Sequence, residues 1–261
     1  MWNIDFITRE EFDAHVASTI RAYAENLVSF DTREFNRNRI DPIKLTFDKY
    51  VYELTWEQVV KSEIVRQRDK SNNNSIGYFH QKIFYYIRDC DVPIQGWDVI
   101  FSPENGVDVA DDLHVSRVFA EVKNKHNTLN SSSKKTVHKK MEDQLLRDDD
   151  CACLLVEAVA KKSQNIIWST TIDGRKTNHN RIRRVSMDRF YEMVTGDSDA
   201  FYKVCLALPD AIERVLADAD EILEPHDTVY RELREQAVEH ENSVATALYL
   251  LGFSGYQGFP M

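Results

Sequence analysis

Two acidic residues and one lysine stand close together near the middle of the chain. Glu121 and Lys123 lie within residues 118–123 (VFAEVK), and Asp108 lies thirteen residues before Glu121 in the segment GVDVADD. Side chains alternate along a strand, so Glu121 and Lys123 share one face, opposite an apolar one. Two carboxylates and a strand carbonyl are oxygen ligands that Mg²⁺ prefers. A nearby ammonium group can position an attacking water or stabilise charge on phosphorus. This pattern predicts hydrolysis of a phosphodiester, with Asp108 and Glu121 as metal ligands and Lys123 as the third catalytic residue.

Other acidic residues compete with Asp108 for the first metal ligand. A hairpin turning near residues 112–116 would bring the strand of Asp108 beside that of Glu121, so Asp108 is one candidate. Asp98 is the main alternative, since it lies on a predicted strand 23 residues before Glu121, and Asp111 and Asp112 lie nearer the turn. On the helices that precede the strands, Glu63 and Gln81 are candidates for an additional metal contact.

The pattern of apolar residues predicts the elements that position this cluster. Helical spacing covers residues 45–70 and 76–87, separated by a polar loop at 71–75. Strands are predicted at 97–101, 107–110, 115–123, 153–160 and 165–172, with a helix at 134–147 that Ser133 or a neighbouring serine would cap. A short helix follows at 187–194, and residues 200–251 are helical with breaks near Pro209 and Pro225. The fold class is therefore α/β, with a mixed-sheet core flanked by helices and with helical additions at both ends.

Charge is distributed unevenly along the chain. The formal net charge is −10 and the isoelectric point is near 5.3, which by itself disfavours a nucleic-acid ligand. However, residues 121–141 contain six lysines and one acid, residues 160–190 contain eight basic and two acidic residues, and residues 197–261 contain four basic and thirteen acidic residues. A basic middle beside an acidic end is compatible with a polyanionic substrate.

The basic middle supplies the candidate contacts to such a substrate. Residues 124–133 form a polar segment without an apolar face, directly after the strand of Glu121, and amide, hydroxyl and ammonium groups of this kind contact phosphates and base edges. Arginines after the last predicted strand suit phosphate or guanine. The candidates are Lys125, His126, Asn127, Thr128, Asn130, Lys134, Lys135, Arg181, Arg183 and Arg184. Lys139 and Lys140 on the following helix are weaker candidates for backbone contacts.

Several segments also resemble a known family of enzymes. Asp108 with Glu121-Val122-Lys123 resembles the PD-(D/E)xK nuclease signature, although Val107 stands where the signature has proline. The family pattern places a Val-Asp-hydrophobic unit just before a short hairpin, so the resemblance favours Asp108 over Asp98. Residues 76–81 (IGYFHQ), 120–128 (AEVKNKHNT) and 181–196 (RIRRVSMDRFYEMVTG) resemble type II restriction endonucleases that cut GGNCC-type sites. The resemblance implies a restriction-endonuclease-like fold and a Mg²⁺-dependent homodimer that cleaves both strands of a palindromic DNA site, with a cognate DNA methyltransferase as functional partner.

Two other functions remain open from the sequence alone. One is a repair or recombination nuclease of the same superfamily, which acts on DNA structure instead of sequence. The other is a DNA-binding protein without catalytic activity, in which Glu121 and Lys123 are merely solvated. We expect one nuclease domain over residues 1–261, consisting of a helical part (1–90), a catalytic core (91–196) and an acidic helical part (197–261). The four cysteines include no CxxC pair, and no signal peptide or apolar run of membrane-spanning length is visible, so we expect a bacterial cytoplasmic protein.

Overall fold

A computed structural model describes residues 2–172, 174–218, 225–239, 243–254 and 256–257, without the side chains of Ile172 and Arg175. The chain forms two compact units, and each contains segments from both halves of the sequence. The first unit comprises Met1–Ile20 and Ser75–Ala219, and the second comprises Arg21–Asn74 and Asp220–Met261. The organisation as a single nuclease domain remains a prediction.

Helices dominate the chain before and after the strands. In chain order they are α1 (Arg9–Glu25), α2 (Thr32–Phe35), α3 (Pro42–Val51), α4 (Trp56–Lys82), a 3₁₀ helix (Ile83–Tyr86), α5 (Ser131–Arg147), α6 (Met187–Thr195), α7 (Ala200–Ala217), α8 (Val229–Glu239) and α9 (Val244–Gly252). No helix among the described residues combines the length and the apolar character needed to span a membrane.

A mixed six-stranded sheet forms the centre of the first unit. The strands of the chain are β1 (Cys90–Asp91), β2 (Val99–Phe101), β3 (Val107–Ala110), β4 (Leu113–Val115), β5 (Arg117–Lys125), β6 (Cys151–Val159), β7 (Asn165–Ile167), β8 (Thr170–Ile172), β9 (Arg175–Thr177) and β10 (Ile182–Ser186). The sheet has the order β1-β2-β5-β6-β10-β7; β5, β6 and β10 are parallel, whereas β1, β2 and β7 pair antiparallel to their neighbours. This arrangement confirms the predicted mixed α/β core.

The three parallel strands owe their central position to their apolar residues. In β6 every residue except Val159 is buried, as expected for a strand covered on both faces. Strand β5 alternates, with Val118, Ala120 and Val122 in the core of the unit and Glu121 and Lys123 on the other face. Helix α5 connects β5 to β6 and buries Val137, Met141 and Leu145 in a cluster with Phe119. Asn130 caps α5 by accepting a hydrogen bond from the Ser133 N–H, so the predicted serine cap is wrong.

The structure corrects three further predictions. Residues 71–75 are not a loop but part of α4, where Asn73 donates from its side chain to the carbonyl oxygen of Asp69 one turn earlier. The predicted strand at 165–172 is two strands: β7 belongs to the main sheet, whereas β8 forms a separate hairpin with β9. The predicted break near Pro209 is absent because α7 continues through it and buries Val204 and Ala211 on either side. Of the predicted helical residues 200–251, residues 219–224 and 240–242 lie outside the described ranges.

The second unit has its own apolar core. It contains Phe35, Leu45 and Ile64 from α2–α4 together with Leu233 and Leu248 from α8 and α9. Asp41 caps α3 by accepting hydrogen bonds from the N–H groups of Ile43 and Lys44, and Pro42 occupies the first helical turn, where its missing N–H has no cost. The helical additions predicted at both ends of the sequence are therefore present.

Candidate active site

Asp98 and Glu121 meet at the end of the pairing between β2 and β5. These strands are antiparallel with Val99 opposite Ala120, so Asp98 lies one residue beyond the last pair. The Asp98 N–H donates to the carbonyl oxygen of Ala120 at 3.1 Å. The Asp98 carboxylate accepts the N–H of Val122 at 2.8 Å. The Asp98 carboxylate thus takes the hydrogen bond that a main-chain carbonyl of a neighbouring strand would otherwise accept. This bond fixes the side chain beside the segment that carries Glu121.

Lysine side chains surround the two carboxylates. Lys123 Nζ lies 2.7 Å from Glu121 Oε1 and 4.0 Å from Asp98 Oδ2. Lys140 Nζ, from α5, lies 2.6 Å from Glu121 Oε2. The Glu121 side chain is only 14% exposed, so its charge needs these partners. A partly buried carboxylate without them would carry a substantial desolvation cost.

The two carboxylates respond differently to this environment. Burial raises the pKa of Asp98, and the neighbouring Glu121 carboxylate raises it further, against the opposing effects of the Val122 N–H and the two lysines. Burial also acts to raise the pKa of Glu121, but the hydrogen bonds from Lys123 and Lys140 outweigh it, and the pKa is lowered. The oxygens of two close carboxylates are ligands that a divalent cation could share, and the lysine ammonium groups occupy the same oxygens of Glu121. Among the described residues no group of three or more His, Cys, Asp or Glu side chains is placed to hold a metal.

Asp108 is not brought into this cluster by strand pairing. Its strand β3 pairs with β4 in a separate two-stranded sheet, not with β5, so the expectation that a hairpin would place it beside Glu121's strand is wrong. The Asp108 side chain is 83% exposed and lies 2.7 Å from Nδ1 of His114, the residue opposite it in the hairpin. Gly106 begins this hairpin with a φ of +69°, and a Cβ atom there would lie 2.8 Å from the Val115 carbonyl oxygen.

The predicted DNA-binding loop follows β5 directly. Lys125 ends the strand, and Asn127, Thr128 and Asn130 are exposed, whereas His126 is half-buried. Thr128 and Asn130 also serve the local fold, because Thr128 Oγ1 donates to the Lys125 carbonyl and Asn130 caps α5. The exposed residues Lys134 and Lys135 lie in the first turns of α5. A cavity of about 370 Å³ is lined by His126, Asn127, Lys134, Lys161 and Arg184, among others.

The three predicted arginines are hydrogen-bonded within the chain. Arg181 donates from Nη1 to the carbonyl oxygens of Asp149 and Cys151. Arg183 donates from Nε to Asn165 Oδ1 at 2.6 Å and from Nη2 to the Asn165 carbonyl at 2.9 Å. These contacts tie the loop before β10 and the strand itself to neighbouring segments.

Arg184 takes part in an ion pair that the sequence analysis missed. Its Nε donates to Glu157 Oε1 at 2.9 Å, and its Nη2 donates to the His126 carbonyl at 2.8 Å. Glu157 is 2% exposed and lies opposite Lys123 in the pairing of β5 with β6. An acid inside a continuous apolar strand is the signal that predicts such a partner, since an unpaired buried charge is strongly destabilising.

Lys140 and Trp97 were also missed as parts of the site. Lys140 Nζ lies 4.1 Å from the centre of the Trp97 ring and donates to the Gly96 carbonyl oxygen at 2.6 Å. Trp97 Nε1 donates to Gln144 Oε1, one helical turn beyond Lys140. In α5, Lys140 is followed directly by the buried Met141. This apolar neighbour is the sequence feature that indicates a position of Lys140 near the sheet.

Comparison with known proteins gives consistent matches over most of the chain. A sequence model of the family described as Eco47II restriction endonuclease matches residues 4–217. The Type II restriction enzyme Sau96I of Staphylococcus aureus is 31% identical over 270 aligned residues, which cover 98% of this chain and 98% of the relative. The Type II restriction enzyme Eco47II of Escherichia coli is 27% identical over 226 residues, which cover 82% of this chain and 89% of the relative.

Proposed function

The chain belongs to the Eco47II restriction endonuclease family, and on that basis we propose that Asp98, Glu121 and Lys123 form its catalytic site. The observation that carries this proposal is the convergence of the Asp98 and Glu121 carboxylates with the ammonium group of Lys123 where the pairing of β2 with β5 ends. Asp98 takes the role that the sequence assigned to Asp108, because Asp98 is hydrogen-bonded to the strand that carries Glu121.

We propose that the reaction requires Mg²⁺. Asp98 and Glu121 would hold the ion together with a main-chain carbonyl of β5. When bound, a divalent cation at such a site polarises a phosphoryl oxygen and makes water a stronger nucleophile. Lys123 would orient the attacking water or donate to the phosphoryl oxygens as negative charge develops. Because Lys123 is bonded to Glu121, its ammonium group is already oriented beside the metal ligand before substrate arrives.

The substrate we propose is a short palindromic site in double-stranded DNA. The motif blocks at residues 76–81, 120–128 and 181–196 suggest a GGNCC-like target through the resemblance described above. A palindrome presents the same half-site twice, so an isologous homodimer would cleave both strands. A cognate DNA methyltransferase would protect the host's own copies of the site, and the enzyme would act in the bacterial cytoplasm.

We propose that the loop after β5 and the start of α5 contact the DNA. The polar residues are Lys125 at the end of β5, His126, Asn127, Thr128 and Asn130 in the loop, and Lys134 and Lys135 in the helix. Their position directly after Glu121 and Lys123 supports this role, because the DNA must lie against the catalytic strand. Arg181, Arg183 and Arg184 are hydrogen-bonded to other segments of the chain, and we propose that they contact the DNA from these fixed positions.

Digestion of plasmid DNA with the purified protein tests this proposal. With Mg²⁺ we expect discrete fragments whose sequenced ends share one palindromic GGNCC-like site, and we expect no cleavage when EDTA removes the metal. Random fragments, or cleavage only at branched or nicked DNA, would favour a structure-specific nuclease instead. DNA binding without cleavage under any metal would exclude the catalytic role.

A further inference from the structure

Lys140 reaches the site from a different element than the other candidate residues. It extends from α5, whereas Glu121 and Lys123 lie on β5, and its ammonium group is 2.6 Å from Glu121 Oε2. Lys123 binds the other oxygen, Oε1, at 2.7 Å. Both carboxylate oxygens of Glu121 are thus paired with ammonium groups. A divalent cation that uses Glu121 needs at least one of these oxygens.

Lys140 can leave Glu121 more easily than its short contact suggests. Its ammonium group also donates to the Gly96 carbonyl oxygen at 2.6 Å and lies over the face of Trp97. These two partners precede Asp98 directly in the chain and do not depend on the Glu121 carboxylate. An ammonium group that moves away from Oε2 therefore retains a carbonyl acceptor and a cation–π contact.

We propose that in the DNA-free protein Lys140 occupies the cation position at Glu121 Oε2, so that a divalent metal that uses this oxygen must displace the ammonium group. The inference rests on the proposed function, because it takes Asp98 and Glu121 as the metal ligands. Lys140 is a positioning residue in this account: it neutralises the acid pair, anchors Gly96 to Glu121, and lowers the metal affinity of the free enzyme. Repulsion between the ammonium group and a dication a few ångströms away is the physical reason for the lower affinity.

The inference predicts tighter metal binding when the charge of Lys140 is removed. Mn²⁺ is titrated into the full-length, DNA-free protein in a calorimeter, and the dissociation constant is compared among variants. Lys140→Met keeps an apolar chain over Trp97 without the charge, and Lys140→Gln keeps a donor for the Gly96 carbonyl. Both variants should bind Mn²⁺ about tenfold more tightly than wild type. Lys140→Arg, which keeps the charge, should bind with near wild-type affinity.

Controls separate this inference from the proposed function. Lys139→Met removes an equivalent charge from an exposed position next in α5 and should leave the affinity unchanged. Glu121→Gln should abolish binding if the metal uses this carboxylate. Unchanged or weaker Mn²⁺ binding in both Lys140→Met and Lys140→Gln, with binding lost in Glu121→Gln, would overturn the role of Lys140 alone. Binding that persists in Glu121→Gln would overturn the metal site itself and with it the inference.

Discussion

The carboxylate of Asp98 accepts a hydrogen bond from the main-chain N–H of Val122 at 2.8 Å. Val122 lies between Glu121 and Lys123, so this bond fixes an acid from β2's N-terminal end beside both side chains. A main-chain N–H left unpaired inside a protein is costly. The Asp98 carboxylate is the acceptor of the Val122 N–H, in place of a main-chain carbonyl of a neighbouring strand. The pairing of β2 with β5 therefore determines which acid joins the candidate catalytic site.

Glu121→Gln and Lys123→Met should each lower the rate of DNA cleavage by about a thousandfold or more. The first removes a charge that we propose holds the metal, and the second removes the ammonium group beside it. Cleavage is measured in single-turnover digests with Mg²⁺. Binding of an oligonucleotide that contains the target site, followed in Ca²⁺ by gel shift, should persist in both variants. Cleavage at the wild-type rate in either variant contradicts the role of that residue.

The buried ion pair of Glu157 with Arg184 should contribute to stability. Glu157→Ala leaves the guanidinium group of Arg184, which is 27% exposed, without its carboxylate partner. We expect the free energy of unfolding, measured by urea denaturation, to fall by about 3 kcal/mol.

Glu57→Ala is the matched control, because it removes the acid of an exposed pair with Lys61 in which both side chains are at least 48% exposed. It should change the free energy of unfolding by less than about 0.5 kcal/mol. An equal, small effect of both substitutions would show that the ion pair of Glu157 with Arg184 contributes no more to stability than an exposed pair does.

His15 should make the first unit sensitive to acid. Burial lowers the pKa of His15 to about 4, and its ring lies against Phe79. In the unfolded chain the His15 ring binds a proton near pH 6.5, whereas in the folded protein the ring stays neutral until the pH approaches 4. The neutral, buried ring therefore contributes its full free energy to stability above pH 6.5, and this contribution is lost as the pH falls toward 4. Between pH 7.5 and pH 5 the loss is about 2 kcal/mol.

The variant His15→Gln tests this titration. Because glutamine does not titrate, the fall in unfolding free energy between pH 7.5 and pH 5 should be smaller than in wild type by that amount. The two proteins are compared by urea denaturation at both pH values. An identical fall in both would show that the His15 ring is not kept neutral by burial.

Local patterns in the sequence identified most of the sheet and two of the three candidate catalytic residues. Strict alternation placed Glu121 and Lys123 on one face, and the continuous apolar run at residues 153–160 predicted the buried β6. These features depend on neighbouring residues only. The choice between Asp98 and Asp108 depends on which strands pair, and that is decided by packing between distant segments. The strand of Asp108, β3, pairs with β4, which follows it after only a few residues.

The arginines show the same limit of sequence reasoning. Their charge predicts DNA contacts for Arg181, Arg183 and Arg184, which stay predictions; the structure adds acceptors for them among main-chain and side-chain oxygens of remote segments. Nothing in the local sequence of an arginine reveals such a partner. The sequence likewise did not separate Lys140 from the other lysines of α5. Which of these lysines reaches Glu121 depends on the rotation of the helix over the sheet, and the packing of the whole core sets that rotation.

The direct test of the candidate catalytic site is the cleavage rate of Asp98→Asn beside that of Asp108→Asn, on the same plasmid with Mg²⁺. Both substitutions remove one carboxylate charge and keep the side-chain size. We predict that Asp98→Asn lowers cleavage by about a thousandfold or more, whereas Asp108→Asn, on an exposed hairpin, cuts at nearly the wild-type rate. The reverse result, with loss of cleavage only in Asp108→Asn, would contradict the site where the pairing of β2 with β5 ends.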